Sequence, residues 1–279
     1  MARPSAPWPW FPAGRRVRRE RRSLKPVNRR RFLKISAAAA AGLAGGGTLY
    51  VAGRGSGPLE DHEKGTQKAL DRRLGGGRAA RLMEEIRAEH RSLVPAVPYI
   101  GGRGNPFTEW LICGAYYLAV YRALSAEGHN LEEAGRIIFE TFQAMADHPE
   151  WVLRLVGRLK YNERYLKRLR KAAGESRKRR YPGDWVAAFV DGDGMAFDWG
   201  LDVTECGICK FYRTQGAEAL APYLCLSDYV VSEAFDRGLV RYRTLAEGDR
   251  LCDFRYKKGR KTYVFPLRDG WPPRFLSAA

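Results

Sequence analysis

Apolar side chains recur every three or four positions between residues 78 and 173, the spacing that gathers them on one face of an α-helix. The pattern predicts four helices joined by short turns. The first covers residues 78–94, because Pro95 cannot continue a helix. This half of the organised chain is therefore predicted to be a helical lobe.

Capping residues mark where the other three helices begin. Asn105 precedes Pro106, so that asparagine caps the second helix and proline takes its first position. Asn130 and Glu133 have the spacing of a capping box at the start of the third helix. Pro149 starts the fourth.

The pattern changes after residue 183 to short apolar stretches separated by Gly-containing turns. It predicts two β-hairpins with two short helices between them. In chain order these elements are strands 185–190 and 197–204, helices 210–220 and 227–235, and strands 240–245 and 251–256. A helical lobe followed by hairpin, two helices and hairpin predicts an α+β fold with an antiparallel sheet.

The first 55 residues are rich in arginine and then in alanine and glycine. Arg29 and Arg30 are followed by one residue and then Phe-Leu-Lys, and a weakly apolar stretch covers residues 35–52. This order matches a twin-arginine export signal, which is recognised through the paired guanidinium groups. The sequence therefore predicts the twin-arginine translocase as a partner and an extracytoplasmic location, either periplasmic or membrane-anchored.

Cleavage and retention of this signal are both open. Residues 35–52 are about as long as the roughly 17–25 residues that span a bilayer, whereas three glycines at 45–47 lower both helicity and apolarity. The segments predicted along the chain are a signal or anchor at 1–55, a polar Gly-rich linker with at most one short helix at 56–77, the organised domain at 78–265 and a tail at 266–279.

A formal net charge of +18 is typical of a nucleic-acid-binding protein until it is divided along the chain. Residues 1–34 hold twelve basic side chains and one acidic, and the remainder holds 37 basic and 30 acidic, so the two parts carry +11 and +7. A nucleic-acid partner is therefore not expected. The basic run at 154–180 predicts a long helix with a solvated cationic face, or else a surface for anionic lipid headgroups or an acidic substrate.

Four of the five cysteines lie in the second half of the chain. Cys206 and Cys209 form a Cys-x-x-Cys, Cys225 precedes a helix, and Cys252 lies in the last hairpin. Cys113 stands alone on an apolar helix face and is predicted to be a packed core residue.

Besides plain burial, three chemistries fit the other four cysteines. Four thiolates are ligands for zinc or another divalent ion, and a two-residue spacing lets two sulfurs face one ion. An oxidising compartment favours disulfides instead. Alternatively, one thiolate is a nucleophile. The spacing alone leaves these alternatives open.

Several stretches carry a family resemblance. They are Cys206-Gly-Ile-Cys209-Lys-Phe-Tyr, the run from Gly216 to Asp228 that contains Cys225, the run from Arg243 to Arg255 that contains Cys252, and the turn Ile100–Asn105 upstream. Together they resemble the L-2-amino-thiazoline-4-carboxylic acid hydrolase family over about residues 78–257. The step Cys225-x-x-Asp228 and the ending from Gly248 to Arg255 are its most specific pieces.

The resemblance implies a small-molecule substrate, a five-membered cyclic isothiourea whose ring opens toward a carbamoyl-cysteine. It implies Asp228 as a base or ligand, and it implies functional roles for Cys206, Cys225 and Cys252. Arg255 is the candidate partner of the substrate carboxylate, because guanidinium groups bind carboxylates bidentately.

Structural roles compete with these assignments. Asp228 is also placed to cap a helix, Arg255 to be a solvated strand residue, and Glu205 to be either a further ligand or an exposed strand end. The histidines are few and fall in helical or linker segments away from the cysteines. They are His62, His90, His129 and His148. A histidine-based triad is therefore not expected.

A second interpretation involves no turnover. The layout of helices, hairpin, two helices and hairpin with clustered cysteines is also similar to the 4-vinyl reductase domain, a small-molecule-binding module that can hold zinc through Cys and Glu. That similarity implies an exported ligand- or metal-binding protein. A structural partner on the membrane surface is a third class.

Overall fold

The chain begins its described part with helices and ends it with a sheet. The computed structural model describes residues 59–265 and residue 267. The helices are α1 (Glu60–Leu74), α2 (Gly76–Leu93), α3 (Phe107–Ala126), α4 (Leu131–Met145), α5 (Glu150–Lys160), α6 (Glu163–Ser176), α7 (Gly207–Thr214), α8 (Ala221–Cys225) and α9 (Ser227–Ala234). The strands are β1 (Val186–Asp191), β2 (Trp199–Glu205), β3 (Leu239–Val240) and β4 (Cys252–Tyr256).

The strands form one antiparallel sheet in the order β1-β2-β4-β3, and the helices of the lobe precede it. The predicted α+β class and order of elements are confirmed. Because side chains alternate across a sheet, one face carries the aromatic and apolar residues that pack on the helices. We call it the inner face, and it consists of Ala187, Phe189, Trp199, Leu201, Val203, Cys252, Phe254 and Tyr256.

The capping residues fix the lobe much as expected. The capping box is confirmed, since Asn130 Oδ1 accepts from the Glu133 amide at 2.9 Å and a Glu133 carboxylate oxygen accepts from the Asn130 amide at 3.0 Å. Asn105 Oδ1 accepts from the Phe107 amide at 3.0 Å at the start of α3. Pro149 directly precedes α5.

Residues 60–74, expected to belong to a polar linker, form the 15-residue helix α1. Its buried stripe is built from Gly65, Thr66, Ala69 and Leu70. A side chain on Gly65 would lie 2.7 Å from a backbone oxygen of α4, so the small residues allow two helices to approach closely. The stripe is narrow and only weakly apolar, which is why hydrophobic periodicity missed it.

The basic run at 154–180 is two helices, whereas the sequence predicts one. Helix α5 ends just before Tyr161. Helix α6 then begins after Asn162, whose side-chain oxygen accepts a hydrogen bond from the Tyr165 amide at 3.1 Å. The side chain of Asn162 also donates to the Leu159 carbonyl at 2.8 Å. This one residue caps both sides of the break.

The first strand of the second hairpin is shorter than expected. It stops at Val240, and the following amides are taken by side chains: Tyr242 and Arg243 both donate to Asp253 Oδ1 at 2.8 Å. The Thr244 amide donates to Asp249 Oδ2 at 2.8 Å. Carboxylates thus replace the strand partner for three consecutive residues.

Among the helices of residues 59–265, none is both long enough and apolar enough to cross a bilayer. The twin-arginine pair Arg29 and Arg30 and the stretch 35–52 lie outside the described residues, as does nearly all of the predicted tail at 266–279.

Candidate functional site

The sequence-predicted residues Cys225, Asp228 and Cys252 converge on a buried arginine, Arg241. Cys225 ends α8, Asp228 lies in the first turn of α9, Arg241 directly follows β3, and Cys252 begins β4. The hairpin therefore carries the arginine and one cysteine back to the junction of two short helices.

Arg241 is held by charge and by aromatic rings. Its Nη1 donates to Asp228 Oδ2 at 2.7 Å and its Nη2 donates to the Cys225 carbonyl at 3.0 Å. The guanidinium carbon lies 4.9 Å from the ring centroids of both Tyr229 and Phe254. The Arg241 side chain is 3% exposed while that of Asp228 is 40% exposed, so the pair presents its carboxylate to solvent.

Asp228 does not cap its helix. The residue before α9 is Leu226, no side chain there makes a capping hydrogen bond, and Asp228 lies inside the first turn. A carboxylate at this end of a helix is stabilised by the helix dipole. Its hydrogen bond with Arg241 uses Oδ2, which leaves Oδ1 as the oxygen that faces away from the ion pair.

Thr244 connects the two cysteines on either side of Arg241. Its hydroxyl lies 3.9 Å from the sulfur of Cys225 and 3.6 Å from that of Cys252. The Leu245 amide donates to the Cys252 sulfur at 3.2 Å. We call Cys225, Asp228, Arg241, Thr244 and Cys252 the arginine–thiol cluster.

Cys206 and Cys209 lie next to this cluster at the start of α7. Their two thiols are hydrogen-bonded to each other, and Cys206 directly precedes the helix. The charge of a Cys206 thiolate reaches both Cys225 and Cys252 and raises the pKa of each. The structure thus brings all four cysteines of the second half into one region of the molecule.

The sulfurs of Cys206, Cys225 and Cys252 are thiols, not thiolates, at neutral pH. Burial raises the pKa of Cys225 and Cys252, and the hydrogen bond with Cys209, followed by burial, raises the pKa of Cys206. The thiolate is the form that attacks carbon and binds metal. The population of thiolate at neutral pH is therefore very small, which disfavours nucleophilic attack by these sulfurs.

The donor set also bears on the expected metal. Across the described chain, no three His, Cys, Asp or Glu side chains are grouped so that they could hold one ion. Every cysteine of the described residues is a free thiol. We therefore derive no step through a metal at Cys206, Cys209, Cys225 and Cys252.

Arg255 lies on the other face of the sheet from Cys252. The two are three positions apart in β4, an odd spacing that places their side chains on opposite faces. Arg255 Nη1 donates to Asp202 Oδ1 at 2.8 Å, and the side chain is 18% exposed. Glu205 is likewise engaged, in ion pairs with Lys210 and Arg179.

A second arginine on the inner face, Arg237, forms no ion pair with any carboxylate of the described residues. It follows α9 in the turn before β3, and its guanidinium carbon lies 4.1 Å from the ring centroid of Tyr161, 4.2 Å from that of Tyr256 and 5.5 Å from that of Trp199. Its Nε is buried without a hydrogen-bond partner. The sequence gives no reason to select Arg237 or Arg241 as functional residues, because several arginines lie in this segment and neither of the two belongs to a recognisable motif.

Arg237 borders a cavity of about 390 Å³. The cavity lies where α5 meets α6, opposite the start of β2 and the turn after α9. Its charged and aromatic lining consists of Arg154, Arg158, Tyr161, Glu163, Asp198, Trp199, Phe235, Asp236, Arg237 and Lys258. We call it the Arg237 cavity.

Another cavity, of about 320 Å³, lies over the glycine turn at 100–105. Asp184 lines it and accepts from Asn105 Nδ2 at 2.8 Å, and burial raises the pKa of that carboxyl. Neither this cavity nor the Arg237 cavity is lined by Asp228 or by a cysteine.

One histidine lies beside a cysteine, contrary to expectation. His62 of α1 has Nε2 3.4 Å from the Cys113 sulfur and Nδ1 2.7 Å from the Tyr117 hydroxyl. Burial lowers the pKa of His62 to about 4 and raises the pKa of Cys113 to about 12. Both groups are therefore neutral at pH 7, and the pair is a buried polar contact within the helical lobe.

Comparison with known proteins points to one family. The sequence model of the L-2-amino-thiazoline-4-carboxylic acid hydrolase family matches residues 111–256, just over half of the chain. The matched range contains the arginine–thiol cluster, both residues of the Cys-x-x-Cys and Arg237. No curated protein and no solved structure matches the chain.

Proposed function

This chain belongs to the L-2-amino-thiazoline-4-carboxylic acid hydrolase family, and we propose from that membership that it opens a 2-amino-thiazoline-type ring by adding water. The observation that carries the proposal is the arginine–thiol cluster inside the matched range, where a partly exposed carboxylate lies close to protonated thiols. Such a site offers both a proton acceptor and proton donors.

The chemistry needs two proton transfers. Water attacks the ring carbon that is bonded to sulfur, the ring nitrogen and the exocyclic amine, and a base removes its proton. The tetrahedral intermediate then collapses with cleavage of one ring bond, and the departing ring atom takes up a proton. The attacked carbon keeps the exocyclic amine and the water oxygen, so the product carries a carbamoyl group and the net change is the addition of one water.

We assign the base to Asp228 and the proton donor to the neighbouring thiols. Arg241 orients the carboxylate through Oδ2 at 2.7 Å, so Oδ1 is the oxygen that accepts the water proton. Cys225 and Cys252 both approach the Thr244 hydroxyl, which links their protons through one short network.

Asp228→Asn tests the base. The amide keeps the shape of the side chain but accepts no proton from water, so product formation should fall by at least about 100-fold, the lower end of what a general base contributes. The matched control is Asp202→Asn, because Asp202 is also ion-paired to an arginine but lies on the opposite face of the sheet. Chromatographic quantification of the carbamoyl product measures both variants.

The control should retain the activity of the unsubstituted protein. Full turnover by Asp228→Asn would remove Asp228 from the mechanism, and equal losses in both variants would indicate a general electrostatic effect. Circular dichroism of each variant separates loss of chemistry from loss of fold.

Binding without turnover is the second candidate, in line with the similarity to the 4-vinyl reductase domain. The specific observation in its favour is that the Arg237 cavity has aromatic walls and does not include Asp228. Saturable binding of 2-amino-thiazoline-4-carboxylate by the unsubstituted protein, with no product after prolonged incubation, would select this candidate over the hydrolase.

We further propose that the chain is exported by the twin-arginine translocase and acts outside the cytoplasm, as a periplasmic or membrane-anchored protein. The pattern at Arg29 and Arg30 with its following Ala/Gly stretch supports this proposal. Replacing both arginines by lysine should leave folded protein in the cytoplasm, measured by cell fractionation and blotting. Unchanged accumulation outside the cytoplasm would contradict the export route.

A further inference from the structure

We propose that the Arg237 cavity is a binding site for the carboxylate of a small, flat-faced ligand, with Arg237 as the anion partner and Tyr161 and Trp199 as the walls. The ligand class rests on the proposed function, because the family substrate is a five-membered heterocyclic carboxylic acid. The existence of the site does not, since it follows from the contacts of Arg237.

The guanidinium of Arg237 lacks an anion. Across the described residues, its side chain makes no ion pair and donates no hydrogen bond, and Nε is fully enclosed without a partner. Arginine stays charged at any physiological pH and carries five donors in a planar fork. A charge removed from water is costly unless it is paired, so the arrangement is complete only when an anion reaches the guanidinium from the cavity.

Three rings hold the guanidinium in place without neutralising it. Tyr161 and Tyr256 approach its carbon to 4.1 and 4.2 Å, and Trp199 lies at 5.5 Å. Trp199 and Tyr256 are themselves stacked, with centroids 4.1 Å apart. Aromatic faces attract a cation, but they do not accept the hydrogen bonds that the N–H groups at the edge of the guanidinium can donate. A carboxylate can accept those hydrogen bonds.

The backbone around Arg237 is set in an unusual conformation. Asp236 has a φ of 56°, which a residue with a Cβ seldom adopts, and Gly238 has a φ of 58°. A Cβ at Gly238 would lie 2.2 Å from the Lys257 carbonyl oxygen. A left-handed residue directly after a helix is a common helix end: the Asp236 amide donates to the Glu233 carbonyl at 3.1 Å and the Arg237 amide donates to the Ser232 carbonyl at 2.8 Å. This helix end turns the chain from α9 toward β3 and places Arg237 at the cavity.

The remaining lining suits a small polar ligand with one anionic end. Arg154, Arg158 and Lys258 add positive charge to the cavity, and Glu163 and Asp236 add carboxylates. Asp198 is already engaged by Lys257 Nζ and by the Lys258 amide. A volume of about 390 Å³ lies in the range of small-molecule sites.

The cavity is electrostatically coupled to the arginine–thiol cluster. Tyr256 contacts Arg237, and the charges of Arg237, Asp228 and Arg241 all act on the pKa of its hydroxyl. A carboxylate held by Arg237 would therefore bind next to an arginine that contacts Tyr256, a ring on which the charges of both arginines act.

Isothermal titration calorimetry with 2-amino-thiazoline-4-carboxylate tests the site directly. The unsubstituted protein should bind it saturably, and the uncharged 4-carboxamide should bind at least about tenfold more weakly. Arg237→Gln should weaken binding of the carboxylate by at least about tenfold. The matched control is Arg170→Gln, which also removes an arginine lying over an aromatic ring, Phe189 at 4.2 Å, but one that is paired with Asp191 and does not line the cavity.

Several results would overturn the proposal: no binding of the carboxylate by the unsubstituted protein, equal binding of the carboxamide, or unchanged affinity in Arg237→Gln. If Arg237→Gln does not fold, Arg158→Gln replaces it, because Arg158 is exposed on α5 and lines the same cavity. Its affinity should fall about threefold and lose part of its salt dependence, and an unchanged affinity would count against the site.

Binding and turnover fail separately. If Asp228→Asn binds the carboxylate normally but forms no product, both proposals stand. If the unsubstituted protein binds without turnover, the hydrolase proposal fails and the site stands. If Arg237→Gln turns over substrate with unchanged KM, the site fails and the hydrolase proposal stands.

Discussion

Two arginines on the inner face of the sheet, four positions apart in sequence, have opposite surroundings. Arg241 is buried with a carboxylate at 2.7 Å and a backbone carbonyl at 3.0 Å, so the chain itself completes its charge. Three rings lie within 5.5 Å of the guanidinium carbon of Arg237, and within the described residues its side chain has no hydrogen-bond acceptor. Arg241 is therefore part of the folded structure, whereas Arg237 belongs to a binding site that still lacks its anion.

His62 shows a third way to bury a basic group. It lies in the helical lobe between Tyr117 and Phe142 and near Cys113, and burial lowers its pKa to about 4. A histidine can release its proton and enter the core neutral, but an arginine cannot. Only the arginines therefore need an anion, and of the two, within the described part of the chain, only Arg241 forms an ion pair.

The largest expected effect separates the two arginines by stability. Arg241→Gln removes the donor to Asp228 and to the Cys225 carbonyl from a site that is 3% exposed, so the free energy of unfolding should fall by about 1.5–3 kcal/mol. Arg237→Gln removes a cation that has no anion and should change the free energy of unfolding by less than about 1 kcal/mol. Urea denaturation followed by circular dichroism measures both.

Equal destabilisation by the two substitutions would contradict the proposed difference between the arginines. It would mean that the rings alone stabilise the Arg237 guanidinium as well as Asp228 stabilises that of Arg241. A larger loss for Arg237→Gln than for Arg241→Gln would reverse it.

The next effect concerns pH and His62. Because its folded pKa, about 4, lies below the unfolded value near 6.5, the unfolded chain binds more protons between these values. Stability from this group is therefore full above about pH 6.5 and is lost as pH falls toward 4, at up to roughly 1.4 kcal/mol per pH unit. Urea midpoints across this window should show the slope, and His62→Gln should flatten it.

His90→Gln is the control for the pH effect. Burial also lowers the pKa of His90, but less strongly, so its removal should flatten the slope less. If His62→Gln left the pH dependence of the free energy of unfolding unchanged, His62 would be solvated in the folded protein. His62 would then not be an example of a basic group buried in its neutral form.

Caps and turns made much of the fold predictable from sequence. The box at Asn130 and Glu133 and the proline at 149 act within a few residues, so their effect can be deduced locally. Helix α1 was missed because its buried stripe is formed by small residues such as Gly65 and Ala69, whose burial depends on the close approach of α4. That approach is a tertiary property.

In the candidate site, too, the sequence predicted some residues, whereas others depend on the tertiary fold. Motif spacing singled out Cys225, Asp228 and Cys252, but it could not supply their partner, because Arg241 reaches Asp228 only after the chain has formed β3. Arg255 was chosen for its place in a motif, yet the two-residue period of β4 turns it away from Cys252 and toward Asp202. Residue type is local information, whereas pairing is set by the fold.

The smallest effect tests how the rings hold Arg237. Tyr161→Leu removes the ring that lies 4.1 Å from the guanidinium, and a cation–π contact contributes about 0.5–1 kcal/mol. Tyr161→Phe keeps the ring and should cost less. Since Tyr161 also packs on Tyr165 and Phe235, the leucine variant carries a packing cost unrelated to Arg237.

A double-mutant cycle removes that packing cost. Tyr161→Leu is measured by urea denaturation in the unsubstituted protein and again in the Arg237→Gln background, where the cation is absent but Tyr165 and Phe235 remain. The substitution should cost about 0.5–1 kcal/mol less in the second background. An identical cost in both would mean that the ring does not interact with the guanidinium, and Arg237 would then be a buried cation with neither an anion nor an aromatic partner at α5.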